Sequence, residues 1–260
     1  MIDSHAHLGV CDPPAAELVA EARRVGVGRI LTIGLGEESN REAVRLAHEH
    51  PEVFAAVGRH PNSAEGFDGD AVAAIEELAA DDAVRAIGET GLDFYRDRAS
   101  EEAQVHAFEA QIGIARRSEL PLVIHLRDSA GPGAGRAVAD AFELLVAEAD
   151  GIDVILHCFS ATPERAEEAA DRGWHVSFAG NVTYPGSDGL RAAAALVPDG
   201  LLLVETDSPF LAPQPARGRP NSPANVTHTA EVVAAARGIG YERLDAIVTE
   251  NAARLFGWSG

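Results

Sequence analysis

Eight short runs of β-branched and leucine-rich residues, each followed by a longer stretch of helical periodicity, constrain this chain more than any other feature. They lie near Ile2 to His5, Ile30 to Ile33, Val53 to Val57, Val84 to Ile87, Leu122 to His125, Val154 to His157, Trp174 to Phe178 and Leu201 to Glu205. Runs of this kind read as strands of a parallel sheet buried on both faces, and the segments between them as the covering helices. Eight is the number a closed barrel needs, and 260 residues is its typical length. The expected fold is α/β: a (β/α)8 TIM barrel forming one domain over residues 1–260.

The intervening segments carry helix signals. Leu18, Ala22 and Val25 share one predicted face, as do Val105, Phe108, Ile112 and Ala115. Thr162-Pro163-Glu164 reads as an N-cap, a first-turn proline and an acid at the positive helix end. Pro13-Pro14, Gly131-Pro132-Gly133 and the proline-rich stretch from Pro209 to Pro223 mark loops, the last long enough to be functional. No repeat beyond the strand–helix alternation, no low-complexity tract and no interdomain linker is visible. A six-strand doubly wound sheet is the architectural rival, but it calls for a glycine fingerprint of which Ile33-Gly34-Leu35-Gly36-Glu37-Glu38 has only the first two glycines.

Charge narrows the function classes. The net charge is −20, from 21 basic against 41 acidic residues, opposite to the footprint of a protein that grips nucleic acid over a broad face. A polyanionic substrate must be captured locally, by bound cations and a few arginines at one cleft. The chain has no lysine, which excludes Schiff-base catalysis and a carboxylated-lysine metal bridge. Its two cysteines, Cys11 and Cys158, define neither a disulfide framework nor a thiolate zinc site and are expected to be reduced. No apolar run is long enough to cross a bilayer, and the N-terminus lacks the basic and apolar regions of a signal peptide. A cytoplasmic protein with no membrane contact and no obligate protein partner is expected.

Ligand-type side chains fall at the ends of the predicted strands, where a barrel assembles its site. His5 and His7 are two apart, so strand periodicity puts both imidazoles on one face, as suits two ligands of one metal. Glu89 follows the fourth run, where its two oxygens could bridge a pair of cations. His125 ends the fifth run and His157 the sixth, and Asp207 follows the eighth, placed to bind a metal and orient or deprotonate its water. Alone, each histidine reads as an ordinary core or surface residue; together at strand ends they point to divalent metal, with magnesium, manganese and zinc all compatible with imidazole and carboxylate ligation. His48, His50, His106 and His228 fall in helical stretches and His175 inside the seventh run, so these five are read as structural.

The same residues sit in motifs: Asp3-Ser4-His5-Ala6-His7-Leu8, Gly88-Glu89-Thr90-Gly91-Leu92-Asp93, Ile124-His125-Leu126-Arg127-Asp128, His157-Cys158-Phe159-Ser160 and Glu205-Thr206-Asp207-Ser208-Pro209. Secondary matches are Gly58-Arg59-His60-Pro61, Asn181-Val182-Thr183-Tyr184-Pro185, Arg217-Gly218-Arg219-Pro220-Asn221-Ser222-Pro223 and the closing Asn251-Ala252-Ala253-Arg254-Leu255-Phe256-Gly257. In this order, and across essentially the whole chain, the set resembles the TatD-type metal-dependent deoxyribonucleases. The resemblance implies a first metal on His5, His7, Glu89 and Asp207, a second on Glu89, His125 and His157, and a substrate phosphate facing His60 and Arg127. Two positions depart from the family pattern: Asn62 stands where a second histidine is frequent, and Arg219 where lysine is usual, which keeps the charge but replaces a point cation with a planar fork.

Other charged residues have plainer readings beside the functional one. Arg127-Asp128 also reads as an ion pair at a loop start, and Arg217 and Arg219 as solvated loop cations. Glu205, two before Asp207, is expected to orient a ligand histidine, and Asp93 and Asp128 are read in the same supporting role. The expected activity is two-metal hydrolysis of a phosphodiester, with Asp207 as the base and Glu89, His60 and Arg127 beside it. Aromatics make up 5% of the chain, too few for a long stacking groove, so a short strand end fits better than duplex; the resemblance implies single-stranded DNA cleaved from its 3′ terminus. Two alternatives stand beside this: hydrolysis of an amide, ester or lactone by the same ligands, and a non-catalytic metal- or nucleic-acid-binding module.

Overall fold

The computed structural model describes residues 1–96, 98–129, 131 and 134–258. Eight parallel strands alternate with helices: β1 (Ile2–Ala6), α1 (Ala15–Arg24), β2 (Arg29–Ile33), α2 (Glu37–Glu49), β3 (Val53–Val57), α3 (Gly69–Ala79), β4 (Val84–Asp93), α4 (Glu101–Ser118), β5 (Leu122–Arg127), α5 (Arg136–Glu148), β6 (Val154–Leu156), α6 (Pro163–Asp171), β7 (His175–Phe178), α7 (Asp188–Leu196), β8 (Leu202–Val204), α8 (Val226–Arg237) and α9 (Tyr241–Phe256). The sheet runs in chain order from β1 to β8, every pair parallel. Its two edges meet just beyond the strands, through a parallel bridge between Ala6 and Ser208 and backbone bonds from Asp207 N to His5 O and from His7 N to Ser208 O. The chain is thus a single domain shaped as a nearly closed barrel, and the doubly wound rival is excluded.

The strands read as near-continuous apolar runs because both their faces are covered: Ile30, Leu31, Ala55, Val57, Ile87, Leu122, Ile124, Leu156, Val176, Phe178, Leu202 and Val204 are all buried. Polar capping sets some of the helix starts. The Asp68 carboxylate accepts from Asp70 N and Ala71 N at the head of α3, and Ser100 Oγ accepts from Ala103 N at the head of α4.

Several sequence expectations need adjustment. Val25 caps the end of α1 and is exposed, because the helix stops before its third apolar position can turn inward; Leu18 and Ala22 are buried as expected. Thr162 does precede α6 with Pro163 in the first turn, but its side chain makes no capping bond to the helix backbone. His50 follows α2 rather than lying within it. The Gly131-Pro132-Gly133 loop lies largely outside the described residues.

The largest difference is β4. It does not end at Ile87 but runs on through the whole glycine-containing motif to Asp93, so Glu89 stands within a strand rather than in a loop after it. Close approach to β5 explains the glycines. A Cβ on Gly91 (φ 131°) would sit 2.2 Å from the His125 carbonyl oxygen, and one on Gly88 (φ 140°) 2.6 Å from that of Val123. Only residues without a side chain let β4 lie against β5 here, and this contact brings Glu89 beside His125.

Candidate metal centre

The barrel gathers the predicted side chains at the C-terminal ends of its strands. His5 lies in β1 and His7 immediately follows it; Glu89 is within β4, His125 within β5, and His157 directly after β6. Asp207 is three residues beyond β8, at a positive φ of 54°. His60 follows β3. All six predicted ligands and His60 therefore come together in space.

Glu89 is the centre of the arrangement. Its Oε1 lies 2.6 Å from His125 Nδ1, 2.9 Å from His157 Nε2 and 3.5 Å from His60 Nε2. Its Oε2 faces the other way, 3.4 Å from His5 Nε2 and 3.7 Å from His7 Nε2. Asp207 Oδ1 closes that second side, 3.3 Å from His7 Nε2 and 3.8 Å from His5 Nε2. The rings of His5 and His157 stack at 3.8 Å, nearly parallel, between the two sides.

This donor set fits divalent cations. The ring nitrogens of His5 and His7 point at one another across 3.2 Å, and those of His125 and His157 across 3.4 Å. Glu89 Oε2 is buried without a hydrogen-bond donor. Three groups of ligand atoms, His5 with Glu89 and His157, His5 with His7 and Asp207, and His60 with Glu89 and His125, each converge within 4.8 Å. Imidazole nitrogens and carboxylate oxygens that converge so closely have the chemistry of a metal site.

The electrostatics of the cluster centre on Glu89. Burial works against an ionised Glu89, but the imidazoles of His157, His60 and His125 around it outweigh burial and hold the carboxyl well below its usual range. Burial likewise opposes charge on His157, yet Glu89 and Glu205 push its pKa well above the ordinary histidine value. Burial dominates at His60, whose pKa falls to about 3, so its ring is neutral. Its Nδ1 accepts from the backbone N–H of Asn62, which leaves the proton on Nε2.

Partners behind these residues fix their orientation. Glu205 Oε1 lies 3.2 Å from His157 Nδ1 and accepts from Cys158 N, as its expected role requires. Asp93 Oδ2 lies 3.4 Å from His125 Nε2 and accepts from Asn62 Nδ2 at 3.0 Å, while Oδ1 takes the backbone N–H groups of Tyr95 and Arg96. Asn62, where the family pattern often has a histidine, thus tethers the carboxylate that faces His125. Asp128 points elsewhere: it accepts from Ala137 N in the first turn of α5. Arg127 forms no ion pair with Asp128 among the described residues; its guanidinium lies 4.1 Å over the ring of Tyr95, exposed at the mouth. Arg217 lies over Tyr184 at 4.4 Å, and Arg219 is exposed on the same loop.

Two supporting glutamines escape the sequence reading. Gln104 and Gln111, seven apart on α4, are both buried and each clamps one backbone residue of the site. Gln104 Oε1 accepts from Asp93 N and its Nε2 donates to Asp93 O; Gln111 does the same for Arg59, beside His60, and also donates to Thr90 Oγ1. Their signal is two polar residues at helical spacing on the face that also carries Phe108, Ile112 and Ala115. Asn221 is another: its amide donates to Thr206 O and Phe210 O, holding the long proline-rich loop against the site.

Residues 2–257 match the family described as TatD related DNase. The chain belongs to that family. Among its TatD relatives is YabD of Bacillus subtilis (strain 168), a metal-dependent hydrolase 35% identical over 98% of both chains. The 3'-5' ssDNA/RNA exonuclease TatD of Citrobacter rodentium (strain ICC168) is 35% identical over 93% of this chain and 91% of its own. YJJV, a TatD homologue of Escherichia coli K12, has a crystal structure that superimposes with a TM-score of 0.90 at 25% identity, covering 100% of this chain and 98% of that one. As a TatD-family protein the chain is a metal-dependent hydrolase built on the TIM barrel these structures share. Among its described residues no helix is long and apolar enough to cross a membrane.

Proposed function

We propose that this hydrolase removes nucleotides from the 3′ end of single-stranded DNA, with divalent ions that His5, His7, Glu89, His125, His157 and Asp207 would hold. The observation that carries this reading is the division of labour within the Glu89 carboxylate, with Oε2 facing His5 and His7 and Oε1 facing His125 and His157. In this assignment His5, His7, Glu89 and Asp207 would hold one ion, and Glu89, His125 and His157 the other. Magnesium, manganese and zinc all suit these donors. Divalent ions bound by these residues would supply positive charge to the phosphoryl group and lower the pKa of a water.

The chain's own groups do the rest. Asp207, at the edge of the cluster, is the base for the attacking water; His7 holds its carboxyl below the usual range despite burial, so it stands ionised at neutral pH and ready to accept a proton. His60, neutral with its proton on Nε2, donates a hydrogen bond to a phosphoryl oxygen. That tautomer assigns it to the substrate and not to a metal, although its ring lies among the convergent groups. Arg127 at the mouth binds a phosphate, its guanidinium braced by Tyr95. With a net charge of −20, the surface away from this mouth repels a long polyanion, which favours a strand end over a strand interior.

The relative exonuclease of Citrobacter rodentium supports a nucleic-acid substrate. Comparing hydrolysis of a bis-aryl phosphodiester with that of an aryl ester, at matched metal loading, tests the reaction class. Phosphodiester turnover at least tenfold faster is expected. Preferential cleavage of the ester would move the assignment to carbonyl hydrolysis.

A further inference from the structure

The aromatic residues are distributed very unevenly. Of the nine phenylalanines, two tryptophans and three tyrosines, only Tyr95 and Phe210 are exposed, each 54%. Both stand at the C-terminal mouth of the barrel: Tyr95 two residues past the end of β4, and Phe210 on the loop that follows β8. In a barrel ordered β1 to β8 and closed from β8 back to β1, β4 and β8 are diametrically opposed. The two exposed aromatic residues therefore stand on opposite sides of the mouth, with the proposed metal centre between them.

Their positions are fixed by the centre itself. Phe210 N donates to Asp207 O, its carbonyl accepts from Asn221, and its ring meets that of His7 edge-on at 5.9 Å. Tyr95 N donates to Asp93 Oδ1, whose carboxylate also faces His125, and one face of its ring is covered by Arg127. Flat π-faces beside a phosphate-binding centre are what unpaired bases stack upon. The cleft of about 820 Å³ that opens from His7 toward α2 is unsuited to that part: its arginines, Arg41 and Arg45, are already paired with Glu37, Glu42 and Glu49.

We propose that Phe210 and Tyr95 are base-stacking, specificity-determining residues that grip the two nucleosides flanking the scissile phosphate, one on each side of the metal centre. This rests on the nuclease reading above and adds to it a recognition length: two bases, set by two rings. Arg127, stacked on Tyr95, reaches the phosphate between them. The site then recognises unpaired bases by their faces and is tolerant of their identity, because every base presents a π-face.

The test uses three single-stranded DNAs: an intact strand, one with an abasic tetrahydrofuran residue at the terminal position, and one with it at the penultimate position. Nucleotide release is measured on the metal-loaded enzyme and equilibrium binding on the metal-free protein. The wild type is expected to prefer the intact strand over each abasic strand by roughly 5- to 100-fold in both assays. Phe210→Ala and Tyr95→Ala should each erase the penalty at one abasic position, a different one for each variant. Phe210→Tyr and Tyr95→Phe should keep both penalties. Equal handling of intact and abasic strands by the wild type overturns the stacking proposal, as does an alanine variant that weakens all three strands alike. No nucleotide release from any strand, with the binding pattern intact, overturns the nuclease reading while leaving the two stacking positions supported.

Discussion

Glu205 Oε1 lies 3.2 Å from Nδ1 of His157, and this contact decides which nitrogen of His157 faces Glu89. With Nδ1 directed at a buried carboxylate, Nε2 is left for the centre, 2.9 Å from Glu89 Oε1. A ligand histidine oriented in this way is more basic and loses less freedom on binding a cation.

Glu205→Gln preserves the shape of the side chain and removes its charge. The expected result is a metal affinity lowered by about 10- to 100-fold, measured by competition with a chelator. The fold should persist, because an amide can still accept from Cys158 N. Unchanged affinity would show that Glu205 has no part in orienting His157.

Glu89 is the group on which the two-ion reading depends. Glu89→Gln should lower the metal content from two ions per chain to one or none by elemental analysis, and reduce hydrolysis by at least about 100-fold. In the wild type, complete removal of metal should lower the thermal midpoint by roughly 5–10 °C, since ions that bind only the folded state stabilise it by about 2.7 kcal/mol at a hundred times their Kd. An unaltered stoichiometry of two in the variant would contradict the bridging role.

Strand ends are legible because a parallel barrel needs near-continuous apolar runs, and His5, His125 and His157 stand out as polar interruptions at the ends of such runs, where the barrel brings them together. The extension of β4 is not, since Gly88-Glu89-Thr90-Gly91 has neither apolar continuity nor β-propensity, and only close packing against β5 makes it a strand. Supporting contacts are the least legible. Asp93 and Asp128 look equivalent in sequence, yet one faces His125 and the other caps a helix, a difference set by tertiary placement. Gln104 and Gln111 are marked only as polar residues on the apolar face of α4, and the backbone groups they hold, Asp93 and Arg59, are set by tertiary packing.

His175 supplies a pH prediction remote from the centre. It opens β7, 4% exposed, and neither ring nitrogen makes a well-formed hydrogen bond. Burial lowers its pKa, and the Arg254 charge adds to this more weakly, while Asp153 opposes it. The unfolded chain takes up this proton at a higher pH than the folded one, so the stability held above pH ~6.5 is lost as pH falls through the lower folded value. In metal-free protein, the stability of wild type relative to His175→Leu should decline between pH 7 and pH 5, by at most about 1.4 kcal/mol per pH unit. Parallel pH profiles for the two proteins, from urea unfolding, would show that His175 titrates no differently once folded.

The most direct test of the central claim is release of nucleotides from a 3′-labelled single-stranded DNA by purified protein supplied with magnesium, manganese or zinc, beside a His125→Ala control. The account predicts metal-dependent release starting from the labelled end, abolished by chelation and by the substitution. Metal bound at full stoichiometry with no release of label would contradict it.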